Sequence, residues 1–123
     1  MDKRRQERVN SEIKKIVANA LSNMRDPKIT AMTSVMDVNV SSDLSYCDIY
    51  FSIMGTSAEK TQVMETLENA KGYFKQHIAK NITLRVVPEL RVHQDTTMDH
   101  AARVNELLNT IKKEEDNANE SID

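Results

Sequence analysis

The chain has 123 residues, 39% hydrophobic and 29% charged, which is enough for one hydrophobic core and too few for two. No apolar run nears the roughly 18 residues of a membrane span, and the charged opening from Met1 to Asn10 has no apolar segment behind it, so a cytoplasmic location is expected. The formal charge is −2, but the segment from Lys112 to Asp123 holds two basic and five acidic residues; the remainder carries 15 basic against 14 acidic, so clustering rather than net charge must indicate a polyanionic partner.

Val9, Ile13, Ile16, Val17, Ala20, Leu21 and Met24 recur at spacings of three and four, which predicts a helix from Arg5 to Met24 with one buried stripe. Asp26-Pro27 stops it, because the residue before a proline is pushed out of the helical region and proline cannot donate. From Thr33 to Val40 the pattern turns to alternation, with Met36, Val38 and Val40 on one face, and predicts a strand. Ser41-Ser42-Asp43 is turn chemistry. Leu44 to Met54 alternates again, placing Cys47, Ile49, Phe51 and Ile53 opposite Tyr46, Asp48, Tyr50 and Ser52. Two strands joined by so short a turn pair antiparallel.

Thr56 or Ser57 caps a second helix carrying Ala58, Val63, Met64 and Leu67, with Glu59 in its first turn. That helix meets Ala70-Lys71-Gly72, after which helical spacing resumes with Phe74 and Ile78. Glycine costs about 1 kcal/mol against alanine inside a helix, so a kink or tight junction is expected there. Only Gly55 and Gly72 occur, where average usage would give roughly nine, so both are expected to have a backbone role. Leu84 to Val92 reads as a third strand, with Pro88 marking an edge or bulge. Asp95, Thr96 and Thr97 precede a last amphipathic helix with Met98, Ala101, Val104, Leu107, Leu108 and Ile111. Residues 1–111 then form one domain, and 112–123 form a charged tail without the apolar residues to order itself.

A strand that returns to the sheet through two helices is a crossover, so the sheet is expected to be mixed, with helices on one face. The fold class is α+β. The single cysteine, Cys47, excludes an internal disulfide and a cysteine-paired zinc site and reads as a small buried hydrophobe. His77, His93 and His100 lack metal-ligand spacing. No phosphate loop or nucleophile motif occurs. A hydrolase or transferase centred on His77, His93 and Asp95 is the weakest reading, since Asp95 fits a helix cap better.

Positive charge gathers in two groups. Lys3, Arg4, Arg5, Arg8, Lys14, Lys15, Arg25 and Lys28 lie on the first helix and its flanks, and Lys71, Lys75 and Lys80 follow the helix break, with Arg85 and Arg91 beyond. Clustered cations gain affinity for a phosphate backbone by releasing its condensed counterions, although such side chains also serve merely to solvate a surface. A helix beginning near Gly72 would present unpaired amides to an anion. A helix C-cap glycine is the competing explanation of Gly72. Tyr46, Tyr50, Tyr73 and Phe74 offer rings for base stacking, but packing explains each of them better. The candidate RNA-binding set is Arg4, Arg5, Arg8, Lys14, Lys15, Arg25, Lys28, Ala70, Lys71, Gly72, Lys75, Lys80 and Arg85. No catalytic residue, metal ligand or cofactor is expected.

The run Ala70-Lys71-Gly72-Tyr73-Phe74-Lys75, followed by Leu84-Arg85-Val86-Val87-Pro88-Glu89-Leu90 and by Asp95 before a helix, resembles bacterial ribosome-binding factor A. Arg8-Val9, Asp26-Pro27 and Asp43-Leu44-Ser45-Tyr46 fit the same family in the same order, so the resemblance spans Arg5 to Leu108. It implies a type II KH-like fold, ordered α-β-β-α-kink-α-β-α. It also implies a monomeric, non-enzymatic factor that binds the free 30S subunit and 16S rRNA and assists late maturation and 16S processing. Most KH domains hold nucleic acid with a Gly-x-x-Gly loop. Here Ala70-Lys71-Gly72 takes its place, which favours shape and phosphate recognition. The competing class is a protein-docking adaptor without RNA contact, its basic residues serving solubility alone.

Overall fold

The structure, a computed structural model, describes residues 2–29 and 31–96. Its elements run α1 (Lys3–Ser22), β1 (Met32–Val40), β2 (Tyr46–Met54), α2 (Ser57–Asn69), α3 (Lys71–Asn81) and β3 (Glu89–Gln94). The expected last helix and the tail from Lys112 lie outside the described residues.

The first helix begins two residues earlier and ends two residues earlier than its apolar spacing suggests. Asp2 caps it by accepting from the Arg4 N–H at 3.2 Å. At the other end the Met24 N–H turns back to the Leu21 carbonyl, a tightened last turn that closes the helix before Asp26-Pro27 is reached. Val9, Ile13, Val17 and Ala20 form its buried stripe.

β1 and β2 pair antiparallel, and β2 and β3 pair parallel, in the order β1-β2-β3. The sheet is mixed, as a two-helix crossover requires. The register steps between Val35 and Asp37, so a bulge falls at Met36. Strict alternation across Met36 therefore fails: Val38 and Val40 are buried, while Met36 is half-buried at the phase break. On β2 the alternation holds, with Cys47, Ile49, Phe51 and Ile53 all buried. The turn between these strands reaches beyond Ser41-Ser42-Asp43. Leu44 adopts a left-handed φ of 61°, and Asp43 accepts from the Ser41 hydroxyl at 2.8 Å and the Ser45 N–H at 3.1 Å. Hydrogen bonds from Ser45 and Ser41 hold the Asp43 carboxyl down at about 2.

The third strand starts at Glu89 rather than Leu84. Residues 84–88 share the parity of the strand but are irregular, and Val86 is exposed. Pro88 is fully buried immediately before the strand, where its missing N–H costs no ladder bond. The three described helices lie on one sheet face. α1 packs on β1 and α3, and α2 packs on β2 and β3. Leu67, Phe74 and Ile78 close the core against Phe51, Ile49 and Ile13. This is the α+β architecture expected of a type II KH-like domain.

Gln6 and Asn10 join α1 to the sheet edge. The Asn10 side-chain oxygen accepts from the Val40 N–H at 2.8 Å, and the Gln6 amide donates to the Val40 carbonyl at 2.6 Å. β1 is an edge strand, so these two side chains satisfy backbone groups that no neighbouring strand reaches. No helix among the described residues is long and apolar enough to cross a membrane.

Candidate nucleic-acid interface

The junction between α2 and α3 is one residue wide. Ala70, at φ −93° and ψ 7°, is both the end of α2 and the start of α3. α2 itself is well anchored at its start, since Thr56 and Glu59 form a reciprocal capping box. α3 has no side-chain cap. The Phe74 N–H is the first to bond back to the junction, to the Ala70 carbonyl at 3.1 Å. The amides of Lys71 and Gly72 are therefore available to an external acceptor at the positive end of the helix.

Gly72 has neither of the backbone roles expected of it within the chain. Its φ is not positive, and a Cβ added there would meet nothing within 4 Å. The C-cap explanation fails with that observation. The residue sits one step inside α3, on an open surface. Gly55 differs: a Cβ there would come within 3.1 Å of the Ala31 Cβ, so the close approach of the β2 end to the β1 start favours glycine.

Twelve residues of the candidate set besides Gly72 are placed as follows. Arg4, Arg8 and Lys15, separated by four and seven residues, share the face of α1 opposite buried Ile13 and Val17. Arg5 and Lys14 flank that stripe. Arg25 and Lys28 lie in the loop after α1, where Asp26 accepts from the Lys28 N–H at 2.9 Å. The Tyr73 hydroxyl donates to the Ala20 carbonyl at 2.7 Å, which brings the end of α1 against the start of α3. Lys28, Ala70 and Tyr73 consequently line one hollow of about 340 Å³, with Met24, Asp26 and Asn69. Thr66 completes its wall.

All of these cations except Lys71 are exposed, and none of the exposed ones forms an ion pair with a described residue. Lys71 is half-buried and paired with Glu68. Lys75, one turn further on, is exposed and has no ion pair among the described residues. Arg85 is not on a strand but in the irregular segment after α3. That segment leads to Glu89, whose N–H bonds to the Ser45 carbonyl, so Lys80 and Arg85 run toward the hairpin end. Arg4 stands sixteen residues before Ala20, about 24 Å along the helix. The candidate set thus divides between a junction end and a hairpin end, joined by the outward face of α1.

The aromatic residues have structural partners. Phe74 is fully buried against Phe51, and the Tyr50 ring stacks on His93 at 4.9 Å. The Arg91 guanidinium lies 4.4 Å from the Tyr46 ring centroid and grips Asp48 with two hydrogen bonds of 2.8 and 2.9 Å. Arg91, together with a hydrogen bond to His93, holds the Asp48 carboxyl below its ordinary value. This cluster occupies the sheet face opposite the described helices. His77 lies in the helix layer against Tyr73, and His93 on the open face, so the two histidines are not brought together. Cys47 is buried, which pushes its thiol up to about 12, with Asp48 adding to the effect. Among the described residues no group of acidic, histidine and cysteine side chains could hold a metal.

Comparison with known proteins is decisive at this point. The family model of ribosome-binding factor A matches residues 5–108. The chain belongs to the ribosome-binding factor A family. It is 38% identical over 120 residues to ribosome-binding factor A of Clostridium botulinum, covering 97% of this chain and all of that one. With the Fervidobacterium nodosum member it shares 39% identity over 106 residues, covering 84% of this chain and 85% of that protein. The fold is similar to a Thermotoga maritima protein whose solution NMR structure is assigned to ribosome-binding factor A. There the TM-score is 0.68 at 38% identity, over 76% of this chain and 89% of that one. A Thermus thermophilus ribosome-binding factor A, fitted into a map of its complex with the 30S subunit, shares the fold at a TM-score of 0.59. Its identity is 19%, over 70% of this chain and 90% of that one.

Membership makes the protein a ribosome-binding factor. Asp26, Thr66 and Asn69 are wall residues that charge and periodicity did not single out, and Met24 entered only as an apolar position of the first helix. Asp26 announced itself in sequence only as the residue before a helix-stopping proline, and an exposed asparagine at a helix end has no distinguishing pattern.

Proposed function

We propose that the protein is a non-enzymatic assembly factor of the small ribosomal subunit, which binds free 30S particles through 16S rRNA and assists their late maturation and 16S processing. The observation that carries this is the uncapped α3 start beside a continuous surface of unpaired cations, in a member of this family. The amides of Lys71 and Gly72, with Lys28 and Lys75 nearby, suit one phosphate group. The Arg4-Arg8-Lys15 stripe suits the backbone further along. Complexation of the Thermus thermophilus member with the 30S subunit supports the same partner.

Such a factor works by differential binding. Whatever RNA arrangement presents phosphates at both ends of the surface is stabilised over arrangements that do not, and the population shifts accordingly. No bond is made or broken by the protein. Charge contacts of this kind carry shape but little sequence information, in keeping with a junction that lacks a Gly-x-x-Gly loop.

Sedimentation of the tagged protein through a sucrose gradient of cell lysate tests the proposal. Co-migration with free small subunits and absence from joined ribosomes is the expected result. Migration with translating ribosomes, or at the top of the gradient at every salt concentration, would contradict it.

A further inference from the structure

Among the described residues, the hollow at the junction differs from the others in chemistry. The one between α1 and β1, lined by Ala18, Leu21, Ile29 and Ala31, contains no charged side chain. The one beside Asp37, Tyr50 and Asp95 contains carboxylates and no cation. The hollow at the junction combines a cation, a carboxylate, an amide, a thioether and an aromatic ring, in Lys28, Asp26, Asn69, Met24 and Tyr73.

Asp26 is poorly suited to a phosphate, because a carboxylate repels it. It is well suited to a donor. One of its oxygens accepts from the Lys28 N–H, and the other has no hydrogen-bond partner among the described residues. The Asn69 side-chain amide likewise makes no hydrogen bond there. At about 340 Å³ the space lies at the low end of the roughly 300–1,000 Å³ of small-ligand sites. Phosphate is favoured at the Lys71 and Gly72 amides, and a neutral planar donor is favoured immediately beside them.

We propose that this hollow holds the base of one unpaired nucleotide, a base bearing an exocyclic amine, while the adjoining phosphate rests on the junction amides. The inference rests on the RNA-binding function proposed above and adds the class of element recognised. The amine donates to the unengaged Asp26 oxygen, Asn69 supplies an amide that matches either ring donors or acceptors, and Met24 and Tyr73 bound the base with apolar surface. An interior duplex base is held in the stack by its pair and its neighbours and cannot swing out into the hollow. The junction thereby distinguishes a bulged or single-stranded nucleotide from a continuous helix, although its charge contacts alone would accept both.

The test is fluorescence anisotropy of the full chain with short RNA hairpins, either fully paired or carrying a single bulged A, C, G or U. Bulged A, C or G should bind about fivefold or more tighter than bulged U. Asp26→Asn, which keeps the oxygen that serves the Lys28 N–H, should abolish that preference. Asn69→Ala, at an exposed position, should weaken binding of the amine-bearing bulges about fivefold. Asn69→Ala should not weaken binding of the fully paired stem, and Asp26→Asn, which removes a negative charge beside the phosphate contact, should hold that stem at least as tightly as the wild-type chain. Indifference of the wild-type chain to bulge identity, or equal weakening of paired and bulged RNA in the variants, would overturn the base site and leave the phosphate contacts standing. Failure of the wild-type chain to bind any of these RNAs would overturn the RNA-binding function as well.

Discussion

Gly72 shows how a residue's cost and its use can be separated. Inside a helix, with no positive φ and no crowded Cβ position, glycine gains nothing from its freedom and loses more backbone entropy than alanine. Gly72→Ala should therefore stabilise the protein by about 0.5–1 kcal/mol in urea unfolding. If an RNA backbone approaches the Lys71 and Gly72 amides closely, the same substitution should weaken small-subunit RNA binding severalfold. Opposite signs in the two measurements are expected. A gain in stability with undiminished binding would remove Gly72 from the contact surface. Lys71 differs from Lys75 at this scale, since a phosphate must compete with the exposed Glu68 carboxylate for it, at a cost of about 0–1 kcal/mol.

At the scale of elements, the attachment of α1 to the sheet edge governs how the basic face is presented. Asn10 supplies the acceptor for a Val40 N–H that has no strand to pair with. Asn10→Ala should cost about 1–2 kcal/mol, read as a lower urea midpoint with an unchanged slope. A midpoint equal to that of the wild-type chain would show that water replaces the contact without loss. The existence and order of the described elements were legible because buried residues recur with helical or strand period, as Val9, Ile13 and Val17 do in α1 and Cys47, Ile49 and Phe51 in β2. Boundaries were less so. Leu84 and Val86 keep strand parity without pairing, since parity does not register whether a partner strand is within reach. The bulge at Met36 is set by pairing with β2 rather than by its local sequence. Tertiary contacts such as Asn10 to Val40 span thirty positions and leave no periodic trace.

For the whole molecule, the decisive feature is the division between a cation-bearing helical side and a sheet side whose other face carries Asp37, Asp48 and Glu89 against Arg91. Arg91 and His93 both engage Asp48 there, which leaves that face little free positive charge to offer a polyanion. The candidate site was readable in sequence as a list of cations and one broken helix. That the first group meets the second was not, because the end of α1 and the start of α3 are brought together only by tertiary packing. The hollow at the junction was invisible for the same reason: its walls come from two stretches of chain, 24–28 and 66–73, some forty positions apart.

The central claim is that exposed, unpaired cations on α1 and α3 grip the RNA of the small subunit. Binding of the full chain to isolated free small subunits, measured between about 50 and 200 mM salt, tests it most directly, because each phosphate contact contributes roughly 0.7–0.9 to the slope of log affinity against log salt. The combined variant Arg8→Gln, Lys15→Gln, Lys75→Gln should bind more weakly and show a slope shallower by about two. A slope identical to that of the wild-type chain would contradict the claim and place the contact surface elsewhere.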